Sequence, residues 1–311
     1  MFDFIFTLLP SLIATALAVG FVTLALYFYG RSKKNRRSPL SNKLLRSPGQ
    51  SLIAQIDEVS EEINSDIVCL FFIPTLVLST LVPQLYLEQM HLTLPTVSMI
   101  LSILVLSMAF IARRLVRHLV DRNRLRLGLD AEMAVGQELN HLMREGCHVY
   151  HDFYADGFNI DHIVVGSAGV FAVETKGRAK KGQGTAAARV TYEGNQLHFP
   201  EWVTDQPLQQ AKRQAQWLAR WLKSAVGENV EVKPVVALPG WFVELKQRSD
   251  ILVINGKKPT YLARTQGAGL SESMIQRIAH QLEQRCRDVE PAAYKNVKDK
   301  KRSDMRDTSE P

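Results

Sequence analysis

The sequence predicts an α/β domain built on a mixed sheet flanked by helices, preceded by a three-helix transmembrane region. Three observations carry this prediction. The long apolar runs fall almost entirely before Arg113, whereas most acidic residues follow it. Residues 159–176 contain two apolar, β-rich runs, 160–166 and 170–176, parted by Ser167-Ala168-Gly169, which is a hairpin signal. Beyond residue 128 the elements read helix, three strands, an insertion, helix, strand, strand, helix.

Taken in order, residues 4–29 are apolar almost throughout, with Pro10 and Gly20 inside the run. That is enough to span a bilayer, which takes roughly 20 helical residues. A cleaved signal fits less well: no basic stretch opens the chain, and no small-x-small site follows the long apolar run. The basic run RSKKNRR at 31–37 abuts this helix and reads as the cytoplasmic flank. Residues 51–64 place Ile53, Ile56, Val59 and Ile63 at helical spacing and predict a short amphipathic helix in a basic linker, 31–66. Two more apolar runs, within 67–112, are joined by a short loop without Lys or Arg and followed by Arg113, Arg114 and Arg117 in a basic segment, 113–127. This arginine bias predicts a multi-pass protein of the cell membrane, with its N-terminus outside, its C-terminal domain cytoplasmic and the lipid bilayer as a partner.

The domain at 128–290 opens with a helix over 128–145, stopped by Gly146. A strand at 147–153, the turn Ala155-Asp156-Gly157 and the 159–176 hairpin follow. The Gly/Lys/Arg-rich residues 177–184 read as a loop, and 189–199 as a second hairpin turning at Gly194-Asn195. Pro207 opens a long helix ending at Gly227, residues 230–238 and 251–254 are strands, and 271–289 is a final amphipathic helix. The polar residues 291–311 predict a disordered tail.

The chain has 311 residues and a formal net charge of +7, which favours anionic partners, either nucleic acid or an anionic membrane face. Its three cysteines show no paired spacing, which argues against a disulfide framework and suits a reducing compartment. His148, His151 and His162 are spread over separate strands, which argues against zinc.

The residues suited to chemistry are Asp161, Glu174 and Lys176. Alternation along a strand puts Glu174 and Lys176 on one face, and antiparallel pairing brings Asp161 to the same end of the hairpin. Two carboxylates suit a hard dication such as Mg²⁺, which retains waters and accepts a substrate phosphate. A lysine beside such a site can orient a water or offset an oxyanion. The same pattern also describes a cross-strand salt bridge, and spacing does not separate the two. His162 alternates to the opposite face and reads as a packed or hydrogen-bonded histidine. Trp217 and Trp221, four apart on a helix, read as core.

The run GLDAEMAVGQEL, the strand near residues 149–153, IDHIVV, GVFAVETKG and PLQQA together resemble the nuclease-related domain (NERD) family, placed among the restriction-endonuclease-like PD-(D/E)xK nucleases. The resemblance implies Asp161 and Glu174 as ligands of Mg²⁺ or Mn²⁺ and Lys176 as the catalytic lysine. It also implies Glu132 as an accessory acid, in preference to Glu138, and Gln210 as a helper on the long helix. Arg178, Lys180 and Lys181 in the following loop are candidate nucleic-acid contacts. Two departures stand out: Ile160 where the superfamily often has proline, and Ala131 where a glycine is common. The expected activity is metal-dependent hydrolysis of phosphodiester bonds in DNA, with RNA as an alternative substrate. The alternatives are a nuclease-like module that binds without cutting and a membrane scaffold.

Overall fold

The computed structural model describes residues 2–33, 39–40, 42–86, 93–182, 184, 186–247, 249–264 and 269–291. The basic run beyond Lys33, the expected outer loop at 87–92 and the expected tail from residue 292 lie outside the described residues. The chain forms two compact units, one chiefly of Met1–Ser41 and Glu58–Asp121, the other of Asn42–Asp57 and Arg122–Glu290.

The first unit is helical. It contains α1 (Phe2–Lys33) and most of α2 (Gln50–Tyr86), and α3 (Leu94–Asn140) begins there. Residues 51–64 and the apolar run from Ile67 are therefore one helix, because Asn64-Ser65-Asp66 between them contains no Gly or Pro to break it. For the same reason the apolar run from Leu94, the basic segment 113–127 and the helix expected from 128 are continuous. Only Gly128 intervenes, and one glycine costs a helix about 1 kcal/mol. A 3-10 turn, His141–Glu145, extends α3, and Gly146 stops it at φ 83°.

Among the described residues, α2 over Gln50–Ser79 and the α3 helix over Leu94–Glu145 are long and apolar enough to cross a membrane, and almost none of their apolar windows is buried. A core helix of a soluble domain would bury such a window. The helix α1 likewise exposes Phe21, Val22 and Phe28. Arg114 pairs with Glu62 and, at 3.1 Å, with the buried Asp66, which His118 also meets at 3.0 Å.

In the second unit the strands are β1 (His148–Tyr154), β2 (Asn159–Gly166), β3 (Gly169–Thr175), β4 (Arg189–Glu193), β5 (Gln196–His198) and β6 (Val203–Thr204). The helix α4 (Gln206–Val226) follows, then β7 (Val232–Ala237), β8 (Phe242–Leu245), β9 (Leu252–Ile254) and α5 (Glu272–Cys286). The main sheet has the order β1-β2-β3-β7-β9, antiparallel through β3 and parallel from β3 to β9. Crossing from β3 to its parallel neighbour β7 takes a long connection, which includes α4. A second sheet, β6-β5-β4-β8, draws β4, β5 and β6 from the expected insertion and β8 from beyond β7, where the sequence reading placed no strand, and its parallel β4–β8 pair has no signal in local sequence.

Alternation along β2 and β3 gives each sheet face its own cover. Ile163, Val165, Val170 and Ala172 pack against Leu218 and Leu222 of α4 and Ile278 and Leu282 of α5. Val164, Phe171 and Val173 point the other way, against Val135 and Leu139 of α3. A sheet sandwiched in this way buries both faces, which explains strands that read as nearly continuous apolar runs. The local signals agree with the sequence: Gly194 and Asn195 both have positive φ, 57° and 59°, as a two-residue hairpin turn requires. Ser271 caps α5 by accepting the Met274 N–H.

Candidate active site

The β2–β3 register pairs His162 with Val173, so Asp161 lies across from Glu174. Asp161 Oδ2 accepts the Thr175 N–H at 2.6 Å. Glu174 is buried, at 1% exposure, and both its oxygens are engaged: Oε1 meets Lys176 Nζ at 2.5 Å and Oε2 accepts Gln214 Nε2 at 2.5 Å. The Lys176 N–H donates to the Ala237 carbonyl at 2.9 Å, which prolongs the β3–β7 ladder by a residue and holds the lysine on the Glu174 side.

Glu132 reaches this group from α3, and a glycine allows the approach. A Cβ on Gly177, directly after Lys176, would lie 2.6 Å from the Leu127 carbonyl oxygen and 2.9 Å from Ala131 Cβ, so only glycine lets the helix pass here. Burial, then the charges of Asp152 and Glu174, push Glu132 up to about 7, against the pull of Lys176 and the Gly49 N–H. Asp161 is raised well above the usual carboxylate range by loss of water, then by Glu174 and Glu132. Three carboxylates thus share one electrostatic centre with a single ammonium inside it.

A second set of polar groups backs the first. Asp152 of β1 is buried, and its Oδ2 accepts Arg46 Nη1 (3.0 Å), the Ser51 N–H (2.8 Å) and Ser51 Oγ (2.7 Å). Its Oδ1 accepts Asn159 Nδ2 at 3.1 Å. Arg46 also grips Asp288 through two bonds, at 2.8 and 2.7 Å. Gln214 Nε2 reaches the Asn159 carbonyl at 3.0 Å as well as Glu174. A polar chain therefore runs from Arg46 through Asp152, Asn159 and Gln214 to Glu174. The residues from Asn42 to Asp57, read from sequence as linker, belong to this unit. Leu44 adds an antiparallel bridge to Val289.

The other sequence candidates fall as follows. The glutamine that meets Glu174 is Gln214, one turn beyond Gln210, which instead lines a cavity beside Phe158. Gln214 was legible in principle: it occupies the buried stripe of α4 between Ala211 and Leu218, where a polar residue needs a partner. Glu138 accepts the Lys258 N–H at 3.3 Å. In the loop after Lys176, the Arg178 carbonyl accepts Trp241 Nε1, Lys180 lies over the Trp241 ring and Lys181 pairs with Glu201 at 2.9 Å. His162 faces away from Asp161, fully buried, with its Nδ1 2.9 Å from His151 Nδ1. Burial lowers His151 to about 4, and burial, then His151, lowers His162 well below the ordinary value.

The centre offers only oxygen donors to a cation, which suits a hard dication and excludes a thiolate–imidazole site. No three of its acidic groups converge as a ready-made cage among the described residues. Two carboxylates, with waters and a substrate phosphate, suffice for Mg²⁺. Burial, and after it the charge of neighbouring carboxylates, raises Glu132 and Asp161, and a bound cation would relieve that repulsion.

Neither curated proteins nor solved structures gave a match to this chain. The family model of the nuclease-related domain matches residues 127–239. That interval begins on α3 just before Glu132 and ends after β7, so it contains Asp161, Glu174, Lys176 and Gln214 as well as the strands that place them. The architecture agrees with the restriction-endonuclease-like superfamily. The part of the chain that assembles this carboxylate centre is thus the part that matches the nuclease-related domain.

Proposed function

We propose that the protein is a membrane-anchored nuclease that hydrolyses phosphodiester bonds of DNA, or of RNA, with a divalent cation. The observation that carries this is the convergence of Asp161, Glu174 and Lys176 at one end of the β2–β3 hairpin, inside a nuclease-related domain. Asp161 and Glu174 would hold Mg²⁺ or Mn²⁺, which when bound supplies positive charge against the phosphodiester and lowers the pKa of a coordinated water. Lys176 orients the attacking water and offsets charge on the phosphoryl oxygens. Gln214 fixes the Glu174 carboxylate, with its own amide held by the Asn159 carbonyl. Glu132, with its pKa near neutrality, is suited to exchange a proton with the site. Water attacks phosphorus and gives up a proton to the site, the P–O bond to the leaving ester breaks, and the leaving oxygen takes up a proton.

The exposed apolar windows of α2 and α3 support anchoring in a membrane. The arginines that follow residue 112 support a cytoplasmic active domain. One observation favours a second reading, nucleic-acid binding without cleavage: both Glu174 oxygens are already satisfied within the protein. Cleavage of labelled DNA and RNA by the full chain in detergent, with Mg²⁺ or Mn²⁺, separates the two. The nuclease reading expects Lys176→Ala to cut slower by on the order of 10²–10³. Salt-sensitive binding with no metal-dependent cleavage, unchanged by Lys176→Ala, would leave the binding reading in its place.

A further inference from the structure

We propose that the cavity between α4 and the β1–β2 turn is a nucleobase subsite, which takes one base of a single-stranded segment leading into the carboxylate centre. This rests on the nuclease reading for its ligand class and on separate residues for its geometry. The cavity measures about 440 Å³ and is lined by Phe158 from the turn and by Gln210, Arg213, Gln214, Trp217 and Arg220 along one stripe of α4. Gln214 belongs to both places: it lines the cavity and holds Glu174 at 2.5 Å. A larger cavity, of about 730 Å³ near β8 and β9, has none of the carboxylates in its walls.

The chemistry of the walls selects the ligand. Trp217 is half-buried, edge-on to Phe158 at 5.6 Å and parallel to Trp221 at 6.5 Å, so its ring is held in place before any ligand arrives. Arg213 and Arg220 are exposed and form no ion pair among the described residues. Seven residues apart on the helix, they are about 10 Å apart along its axis. The whole of α4 carries Lys212, Arg213, Arg220 and Lys223 and no acidic residue. Held aromatic rings within a cationic groove are the means by which proteins bind single strands, with bases stacking and phosphates meeting the cations. A base stacked in a duplex has no free face for such a cavity and would first have to be extruded.

The test uses the full chain in lipid nanodiscs with Ca²⁺ and a short single-stranded oligodeoxynucleotide carrying a central 2-aminopurine, whose fluorescence falls on stacking. Quenching on binding is expected, with weaker binding of the matching duplex. Trp217→Leu should remove the quench and weaken binding roughly five- to a hundredfold. The double charge reversal Arg213→Glu with Arg220→Glu, on exposed side chains, should weaken binding at least roughly tenfold without touching the core. Binding without quenching, equal preference for duplex, no binding at all, or affinity unchanged in both variants would overturn the subsite. Cleavage in Mn²⁺ keeps the two claims apart. Quenching without cleavage leaves the subsite standing and removes the nuclease reading. Cleavage with wild-type KM in both variants does the reverse.

Discussion

Asp152 and Asp161 lie on neighbouring strands, and the flanking pairs His151–His162 and Phe153–Ile160 place them across from each other. Glu174 continues the row on the next strand. Asp152, at φ 48°, leaves the regular ladder and meets four donors, among them the Arg46 guanidinium. Asp161 has one backbone donor and faces two other carboxylates. The same side chain in the same row is thus ringed by donors at one position and left among carboxylates at the next. A buried carboxylate surrounded by donors ties segments together, and one surrounded by carboxylates is in an environment suited to a cation.

Isosteric substitution breaks this comparison most sharply. Asp152→Asn leaves Arg46 with Asp288 alone and sets an amide against donors from Arg46, Ser51 and Asn159, and should cost roughly 3 kcal/mol of stability, seen in unfolding of the full chain in detergent. Asp161→Asn keeps an acceptor for Thr175 and removes a repelled charge, so it should leave stability unchanged or raised at neutral pH. Equal losses at both positions would erase the distinction.

The pH dependence of Glu132 is the next effect in size. Its pKa is raised in the fold from 4.5 to about 7, so between these values the folded state holds more protons than the unfolded chain. Stability from this group therefore falls as pH rises through that window. Glu132→Gln should be more stable than the parent by roughly 3 kcal/mol at pH 8 and equal to it at pH 4. The lowered pKa values of His151 and His162 act oppositely, with stability lost as pH falls below the ordinary histidine value. Glu132→Gln should consequently unmask a loss of stability in acid. Added Mg²⁺ should narrow the gap at pH 8 by binding the ionised parent. A constant difference across pH would contradict the assignment.

Gly177→Ala probes the approach of α3 to the centre and has the smallest expected effect on stability, roughly 1–3 kcal/mol, because the helix must shift away from the new methyl. Its loss of metal affinity should exceed that of an exposed-loop control such as Gly184→Ala, measured by Mn²⁺ titration.

Much of this arrangement was legible in the sequence, because the determining signals are local. The alternation in 159–176 and the small residues at 167–169 specify the hairpin, and the hairpin alone brings Asp161 to Glu174. Gly194-Asn195 and Gly227 likewise mark a turn and a helix end through their own backbone conformations. What local signals omit is pairing at a distance. Arg46 and Asp152 are separated by 106 positions, and nothing near either residue points to the other. Gln210 and Gln214 differ by about one helical turn, so only the depth of α4 against the sheet decides which meets Glu174. The fusion of apolar and amphipathic segments into α2 and α3 follows from the lack of breakers, a weaker signal than a change in composition.

The most direct test of the central claim is metal-dependent cleavage by the full chain compared with its Glu174→Ala variant, using labelled single- and double-stranded DNA and RNA in Mg²⁺ and in Mn²⁺. The parent should cleave in a reaction that EDTA abolishes, and Glu174→Ala should reduce the rate by on the order of 10³ while the variant still binds the strand. Equal cleavage by both, or none by either with binding intact, would contradict the central claim.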